Sequence, residues 1–530
     1  MNPDGLLKHF DEISEAPDAV PRLRRFILDL AVRGKLVPQD PDDEPASKLP
    51  KRFEKDKTPF EIPEKWVSAI AGKLLNIQYG KALPAKDRSD QGRTAIFGSN
   101  GIVGYCHAAL TEEPAIIIGR KGSAGALNLC DGPSWTTDVA YFLIPPAFFN
   151  IRFLFIALKT LDLGSLGKGV KPGLNRAEVY QLPLVVPPIA EQRRIVAKVD
   201  ELMRVCDELE AAQAKRERRR DRLVAASLHG LNNGASEDDL HQNVGFYLNH
   251  IPRLTTRLEH IHQLRQTILN LAVSGKLVPQ DPNDKPASEV LKAIEGEASR
   301  LFKSGKVRTQ KSFQPVKDAE GLFALPGSWK WIRLLSLGIT RTGNTPSKNN
   351  PEYFGNYIPF VKPADLKATG INYYGEGISR EGLPYARLIP DGSVLMVCIG
   401  SSIGKVNRTE RDICCNQQIN AITPFIAACG GFLSLALKAD FFRKLVLDHA
   451  GTGTLPIISK GKWEKLPVPL PPLAEQHRIV GKVKELMALC DELEARTNNT
   501  TTARRQLLEA TLHEALFGRR ELSQRALHAG

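Results

Sequence analysis

The sequence predicts an α+β fold: two globular mixed α/β modules joined by two long helices with a coiled-coil seam, in a pseudo-two-fold tandem duplication. Three observations carry this. Residues 24–49 (RRFILDLAVRGKLVPQDPDDEPASKL) and 265–290 (RQTILNLAVSGKLVPQDPNDKPASEV) share 18 of 26 positions at an offset of 241. Residues 182–211 (LPLVVPPIAEQRRIVAKVDELMRVCDELEA) and 466–495 (LPVPLPPLAEQHRIVGKVKELMALCDELEA) share 21 of 30 at an offset of 284. The stretches between these blocks differ, and the offset grows by 43 across them. Such a repeat bounds the architecture before any local pattern does. Constant frames around divergent inserts suggest a scaffold that presents two different heads. Loop drift after an old duplication is the alternative, and it does not explain why the frames alone stayed alike.

Taken in order, residues 1–60 form an N-terminal helical segment. Its helix runs from Arg24 to a C-cap at Gly34, before the turn Pro38-Gln-Asp-Pro41. Residues 61–185 form the first module. Residues 186–310 form a central region: a long helix, a linker at 231–250, and the repeat of the N-terminal segment, ending at Gly275 before Pro279-Gln-Asp-Pro282. Residues 311–467 form the second module and 468–530 the C-terminal helix. Each long helix follows a Pro-Pro pair and carries a glutamate, Glu191 or Glu475, in its first turn, where the positive end of the helix dipole favours it. Apolar residues then fall at Ile195, Val199, Leu202, Cys206 and Leu209, and again at Ile479, Val483, Leu486, Cys490 and Leu493. This 4-3-4-3 spacing is that of a coiled-coil seam. A stripe of this kind is most often core; here its packing would also set a distance. Leu223, Leu228, Leu507 and Leu512 resume the apolar face, so each helix spans about 38 residues, roughly 57 Å. The run from Lys215 to Arg222 reads as a solvated basic face or as a phosphate contact, and the second copy lacks it.

The inserts, about 63–182 and 326–466, alternate short β-like runs with Gly, Asn, Ser and Pro turns. Each opens on tryptophan: Trp66 in Pro-Glu-Lys-Trp, Trp329 in Pro-Gly-Ser-Trp. The apolar stretch 140–161 reads as a buried strand leading into a core helix. Insert one holds 13 Lys/Arg against 9 Asp/Glu, insert two 17 against 10. The whole chain, 530 residues with formal charge +13, is basic enough to favour polyanionic partners, nucleic acid first. Its 42% hydrophobic and 25% charged residues exclude a mainly disordered or collagen-like chain. Eight cysteines without CxxC spacing argue against a zinc knuckle or a disulfide scaffold and fit a reducing cytoplasm. The N-terminus has no signal-peptide pattern, and no clean membrane span is expected.

Loops recur between the inserts. Gly119-Arg-Lys-Gly-Ser-Ala-Gly125 resembles Gly400-Ser-Ser-Ile-Gly404-Lys405, and Trp135-Thr-Thr-Asp138 matches Cys415-Asn-Gln-Gln418 in position. Glycine lets a backbone approach phosphate, Arg, Lys and Ser hold it, and Asn or Gln can pair with adenine. A plain tight turn explains the glycines equally well. The candidate nucleic-acid contacts are Lys81, Arg88, Arg93, Arg120, Lys121, Ser123, Thr136 and Thr137 in insert one. In insert two they are Arg341, Lys348, Lys362, Ser401, Ser402, Lys405, Asn416, Gln417 and Gln418.

Catalytic motifs are unconvincing. Residues 400–406 fall one residue short of a P-loop and lack its Ser/Thr. Their GxSxG letters place Ser402 as nucleophile, but no helical pattern follows as a nucleophile elbow requires. No HExxH, EF-hand or Asn/Asp-Pro-Pro-aromatic motif occurs, and His260-x-His262 lacks partners for a metal.

The twin PPLAEQ-type helix starts, the twin GKLVPQDP blocks and the two inserts together resemble the specificity subunit of type I restriction-modification enzymes, over almost the whole chain. The resemblance implies that each insert is a target recognition domain reading half of a bipartite double-stranded DNA site, and that the two long helices pack as an antiparallel coiled coil that fixes the spacer. It implies two modification subunits docked on the frame, carrying S-adenosylmethionine and adenine methylation. It further implies two restriction subunits supplying ATP- and Mg-dependent translocation and cleavage, with no catalytic residue, metal or cofactor on this chain. A single-chain enzyme and a coiled-coil scaffold that never reads bases are the competing readings.

Overall fold

A computed structural model describes residues 15–16, 18–46, 60–89, 91–169, 172–233, 257–305, 316, 322–451 and 455–517. The chain falls into two compact units: unit one up to residue 217 and again from 499, unit two from 218 to 498. Most of the linker expected at 231–250 lies outside the described residues.

Each unit is built on a short helix, Ala19–Val32 in unit one and Leu258–Val273 in unit two. Both end at a glycine with positive φ, 68° at Gly34 and 72° at Gly275. That left-handed geometry closes the helix at little cost only without a Cβ. Space enforces the same choice: a Cβ at Gly34 would collide with Pro63 and lie 3.2 Å from the Trp66 indole. At Gly275 it would meet Pro326 and Trp329 in the same way. The helix end and the Pro-x-x-Trp opening of each insert are therefore one packing unit.

The head of unit one starts and finishes on an antiparallel ribbon, Val67–Ile70 against Pro183–Val186. Above it stand two sheets. One is antiparallel, in the order Gln78–Tyr79, Ala140–Leu143, Ala115–Gly119, Leu127–Cys130. The other pairs Gly101–Cys106 with Thr94–Gly98, and Thr94–Gly98 in parallel with Ser134–Thr136. Ala140–Leu143 is wholly buried and leads to the helix Ile151–Thr160, capped by the Asn150 side chain, as the apolar stretch predicted.

Unit two repeats this plan. Lys330–Arg333 pairs with Pro467–Leu470. Its four-stranded sheet runs Gly338–Thr342, Ile419–Pro424, Val394–Val397, Val406–Arg408. Its second sheet again contains a parallel pair, Ile358–Val361 with Ile413–Cys415. The extra length of insert two lies largely in short strands around that pair. Residues 292–303 belong to an amphipathic helix, Ala287–Lys303, that buries Val290 and Ile294.

The long helices are Ile189–Asn233 and Leu473–Phe517, 45 residues each. At 1.5 Å per residue that is about 67 Å, longer than the apolar spacing indicated. Each begins in one unit and ends in the other. Ile195, Val199, Leu202, Cys206 and Leu209 share the core of unit one with Ile27, Ala31 and Phe153. Ile479, Val483, Leu486, Cys490 and Leu493 share that of unit two with Ile268, Ala272 and Phe432. The far ends join the other short helix: Leu508 and Leu512 with Phe26 and Leu30, Val224 and Leu228 with Ile261 and Leu264. Leu223, expected on the apolar face, is half exposed, and its neighbour Val224 takes the buried position. The helix has turned slightly past the strict heptad, as a 3.6-residue period does.

Candidate nucleic-acid interface

Each head is fixed to its long helix by a network that recurs side chain for side chain. In unit one Glu191 accepts from the Trp66 indole N–H at 2.9 Å and from Gln39 at 2.6 Å. In unit two Glu475 accepts from Trp329 at 2.9 Å and Gln280 at 2.5 Å. Arg194 forks onto Asp43, and Arg478 onto Asp284. Arg24 reaches Asp207 and Glu210, while Arg265 reaches Asp491 and Glu494. Burial pushes the Glu191 and Glu475 carboxyls above their usual range, while the indole and amide donors pull them back. The Arg194 fork holds Asp43 below its ordinary value. The first-turn glutamates therefore do more than complement a dipole: they receive the tryptophan that opens each insert. Spacing alone could not pair residues 125 or 146 positions apart.

At the C-terminal end of each parallel strand pair, loops converge in a matched backbone pattern. Thr137 N–H donates to Phe97 O and Asn416 N–H to Val361 O. Gly80 N–H donates to Ala140 O and Gly343 N–H to Ile419 O. Arg120 N–H donates to Val139 O and Cys398 N–H to Gln418 O. Ala126 N–H donates to Ser123 O and Lys405 N–H to Ser402 O. A Cβ at Gly80 or Gly343 would run into the carbonyls of residues 136–137 or 415–416, so both first loops need glycine there.

These bonds correct the loop match. Thr137 is the counterpart of Asn416 and Asp138 of Gln417, one residue away from the alignment by letters. They also reveal a fourth loop that the sequence reading missed. Gly122 N–H donates to Pro172 O and Leu174 N–H to Arg120 O; Gly400 N–H donates to Pro456 O and Ile458 N–H to Cys398 O. The flanks of residues 168–173 and 451–457 thus brace the glycine loops. The cue was present in Lys168-Gly-Val-Lys-Pro-Gly and Gly451-Thr-Gly-Thr-Leu-Pro.

The candidates distribute unevenly over this frame. Lys81, Arg120, Lys121 and Ser123 come together at the loop end of head one, where Lys81 and Lys121 are exposed. Thr136 is fully buried, and Thr137 is nearly so, its hydroxyl donating to Phe97 O at 2.9 Å. Both lie beneath the surface, which removes them from a contact list; exposed Asp138 stands there instead. Arg88 and Arg93 are exposed but sit beside Cys106 and Thr94, at the opposite end of the strand Thr94–Gly98. In head two Ser401, Ser402, Lys405, Asn416, Gln417 and Gln418 converge. Thr345 donates to Gln417 Oε1 at 2.9 Å, tying the first loop to the third, and Asn416 donates to Gln418 Oε1 at 2.9 Å. Gln417 is exposed, and its amide N–H groups meet no acceptor among the described residues. Lys348 is exposed further along the first loop. Lys362 pairs with Glu376 at 2.6 Å. Arg341 is partly buried, donating to Thr423 at 3.2 Å; burial first and the Arg387 charge second lower its pKa.

Nearby groups do not offer nucleophilic chemistry. Burial pushes the thiols of Cys398 and Cys414 up to about 11 and that of Cys415 to about 12. All eight cysteines are free, and no cluster that could hold a metal occurs among the described residues. His260 is buried and shares a 2.9 Å hydrogen bond with Asp221, a structural role. No helix among the described residues is long and apolar enough to cross a membrane.

Two topologically matched heads with different loop side chains, each latched to a long helix, define a duplicated recognition scaffold. A family model for the type I restriction modification DNA specificity domain matches residues 63–217 and 326–503, and the chain belongs to that family. It is 29% identical to the type I restriction enzyme EcoEI specificity subunit of Escherichia coli, over 94% of each chain. With the EcoAI specificity subunit of Escherichia coli it shares 28% over 89% of this chain and 90% of that one. Among solved structures it is similar to a type I restriction-modification S subunit from M. genitalium. The TM-score there is 0.30 at 14% identity, covering 90% and 98% of the two chains.

Proposed function

We propose that the chain reads a bipartite double-stranded DNA site, with one half-site per head and the long helices setting the gap. The observation that supports this best is the shared backbone frame of the loops with unlike side chains: one platform, two chemistries. Gln417 and Asn416 offer amides to bases in head two, while Lys405, Lys121 and Lys81 meet phosphates. The EcoEI and EcoAI relatives are subunits of type I restriction enzymes. On that basis the frame docks two modification subunits, which supply S-adenosylmethionine and adenine methylation, and the assembly recruits two restriction subunits that use ATP and Mg. The chain itself then contributes recognition and no chemistry, and works in the cytoplasm.

The test is co-expression with the neighbouring modification subunit in a methylation-free host, followed by long-read mapping of methylated adenines. The expected result is a split motif: two short half-sites with a fixed gap. A continuous motif, or methylation indifferent to sequence, would overturn the reading.

A further inference from the structure

We propose that Tyr79, Arg120 and Arg176 form a preset phosphate grip in head one that head two lacks. The inference rests on the DNA reading above and concerns residues, Tyr79 and Arg176, that the sequence did not single out. Tyr141 is buried and its hydroxyl donates to Leu174 O at 2.9 Å, so its ring is fixed. Tyr79 packs edge-on against it at 5.0 Å yet stays 47% exposed. Over the Tyr79 ring lie two guanidiniums, Arg120 at 4.9 Å and Arg176 at 4.7 Å from its centroid. Each is tied by one N–H to a backbone carbonyl: Arg120 Nη1 to Asp138 O at 3.0 Å, Arg176 Nη1 to Ile77 O at 2.8 Å.

Neither arginine has a carboxylate partner among the described residues. A guanidinium carries five N–H donors, so most of each fork is uncommitted. Two cations without carboxylate partners beside one exposed ring favour an arriving anion. The ring faces and carbonyl ties fix the forks beforehand, which suits them to the oxygens of a phosphate. At the equivalent place in head two the described residues form no such device. The backbone equivalents are Thr342 for Tyr79 and Cys398 for Arg120. At the place of Arg176 stands Lys460, neutralised by Glu464 at 2.9 Å. The grip lies beside Lys81 and Lys121, on the loop end and not at the far end with Arg88 and Arg93.

The test measures binding of the assembled complex with its modification subunit to a duplex carrying the mapped site, and to an unrelated duplex, across salt concentrations. Arg176→Ala is expected to weaken both by the same factor and to flatten the log K against log salt slope by about one, with the methylated motif unchanged. Arg176→Lys restores the slope while leaving affinity below wild type. Tyr79→Leu keeps both charges, so affinity falls with the slope retained. Phosphate ethylation should lose its interference at one position in a single half-site when Arg176 is replaced. An unchanged slope for Arg176→Ala in a complex that melts like wild type would overturn the grip. So would relaxed base choice at one position, which would make Arg176 a base reader. Sequence-indifferent binding by the wild-type complex would instead sink the DNA reading itself.

Discussion

In the frames, every side chain of the latch has its twin: Trp66 and Trp329, Glu191 and Glu475, Gln39 and Gln280, Arg194 on Asp43 and Arg478 on Asp284. In the heads the backbone is repeated, with Gly80 and Gly343 and with Ser123 and Ser402 at matched places, while most exposed side chains differ. The same hydrogen bonds frame the loops, but Arg120 stands where Cys398 stands, and Asp138 where Gln417 does. The two halves therefore agree in how a head is held and disagree in what it offers. A buried carboxylate needs its particular donors, so the latch tolerates little change. A loop whose shape comes from backbone bonds and one or two glycines can change its exposed side chains freely.

The largest effect should come from attacking the latch. Trp66→Ala removes a fully buried ring and leaves Glu191 short of a donor, costing about 3–5 kcal/mol of unfolding free energy. Trp329→Ala should cost the same within about 1 kcal/mol. Urea denaturation of the whole chain, followed by a probe in each head, checks both. A large inequality between the twins would break the claim that the frames are equivalent.

A head substitution should do the reverse: spare stability and alter reading. Gln417→Ala removes an exposed amide at the loop end of head two. It should relax discrimination at one base pair of one half-site by about 1–3 kcal/mol, leaving the other half-site intact. Competition binding with single-base variants of the mapped site measures this. Changes in both half-sites would mean that the heads do not read independently.

The latch also predicts a pH dependence. Glu191 has a raised folded pKa, with burial as the first cause. The native state then holds a proton at pH values where the unfolded carboxyl has lost it, so the proton-linked stability is full below the unfolded value. It is lost as pH rises through the folded one. Relative to Glu191→Gln, which cannot titrate, wild type should lose stability with rising pH across that window. Glu475→Gln should show the same trend. Parallel thermal melts from pH 4 to 7 decide it, and an opposite slope would show that the Trp66 and Gln39 hydrogen bonds outweigh burial.

Much of this was legible in the sequence because repetition and periodicity are local. The tandem blocks located both short helices, both long helices and both Pro-x-x-Trp openings, and the apolar runs located the central strands. What escaped depends on pairing between distant segments. The alignment of Trp135–Asp138 with Cys415–Gln418 slipped by one residue, and in a strand one residue exchanges the inner face for the outer. That slip put buried Thr136 on the contact list. Arg88 and Arg93 are exposed, and only the strand direction shows that they sit at the end of Thr94–Gly98 away from the matched loops. Arg176 was invisible because its significance comes from Tyr79, nearly a hundred residues earlier.

The smallest expected effect tests that slip directly. The Thr136 hydroxyl is buried without a hydrogen-bond partner. An unpaired buried hydroxyl carries a desolvation cost, so Thr136→Val should leave stability unchanged or raise it by up to about 1 kcal/mol. Its side chain cannot reach DNA from that position, so affinity and methylated motif should stay at wild-type values. Asp138→Ala, two residues further along at the surface, should strengthen binding slightly at low salt by removing a negative charge beside the loops. If Thr136→Val weakened binding while Asp138→Ala did nothing, the match by letters would be right after all, and the backbone bonds that pair Thr137 with Asn416 would not mark functional equivalence.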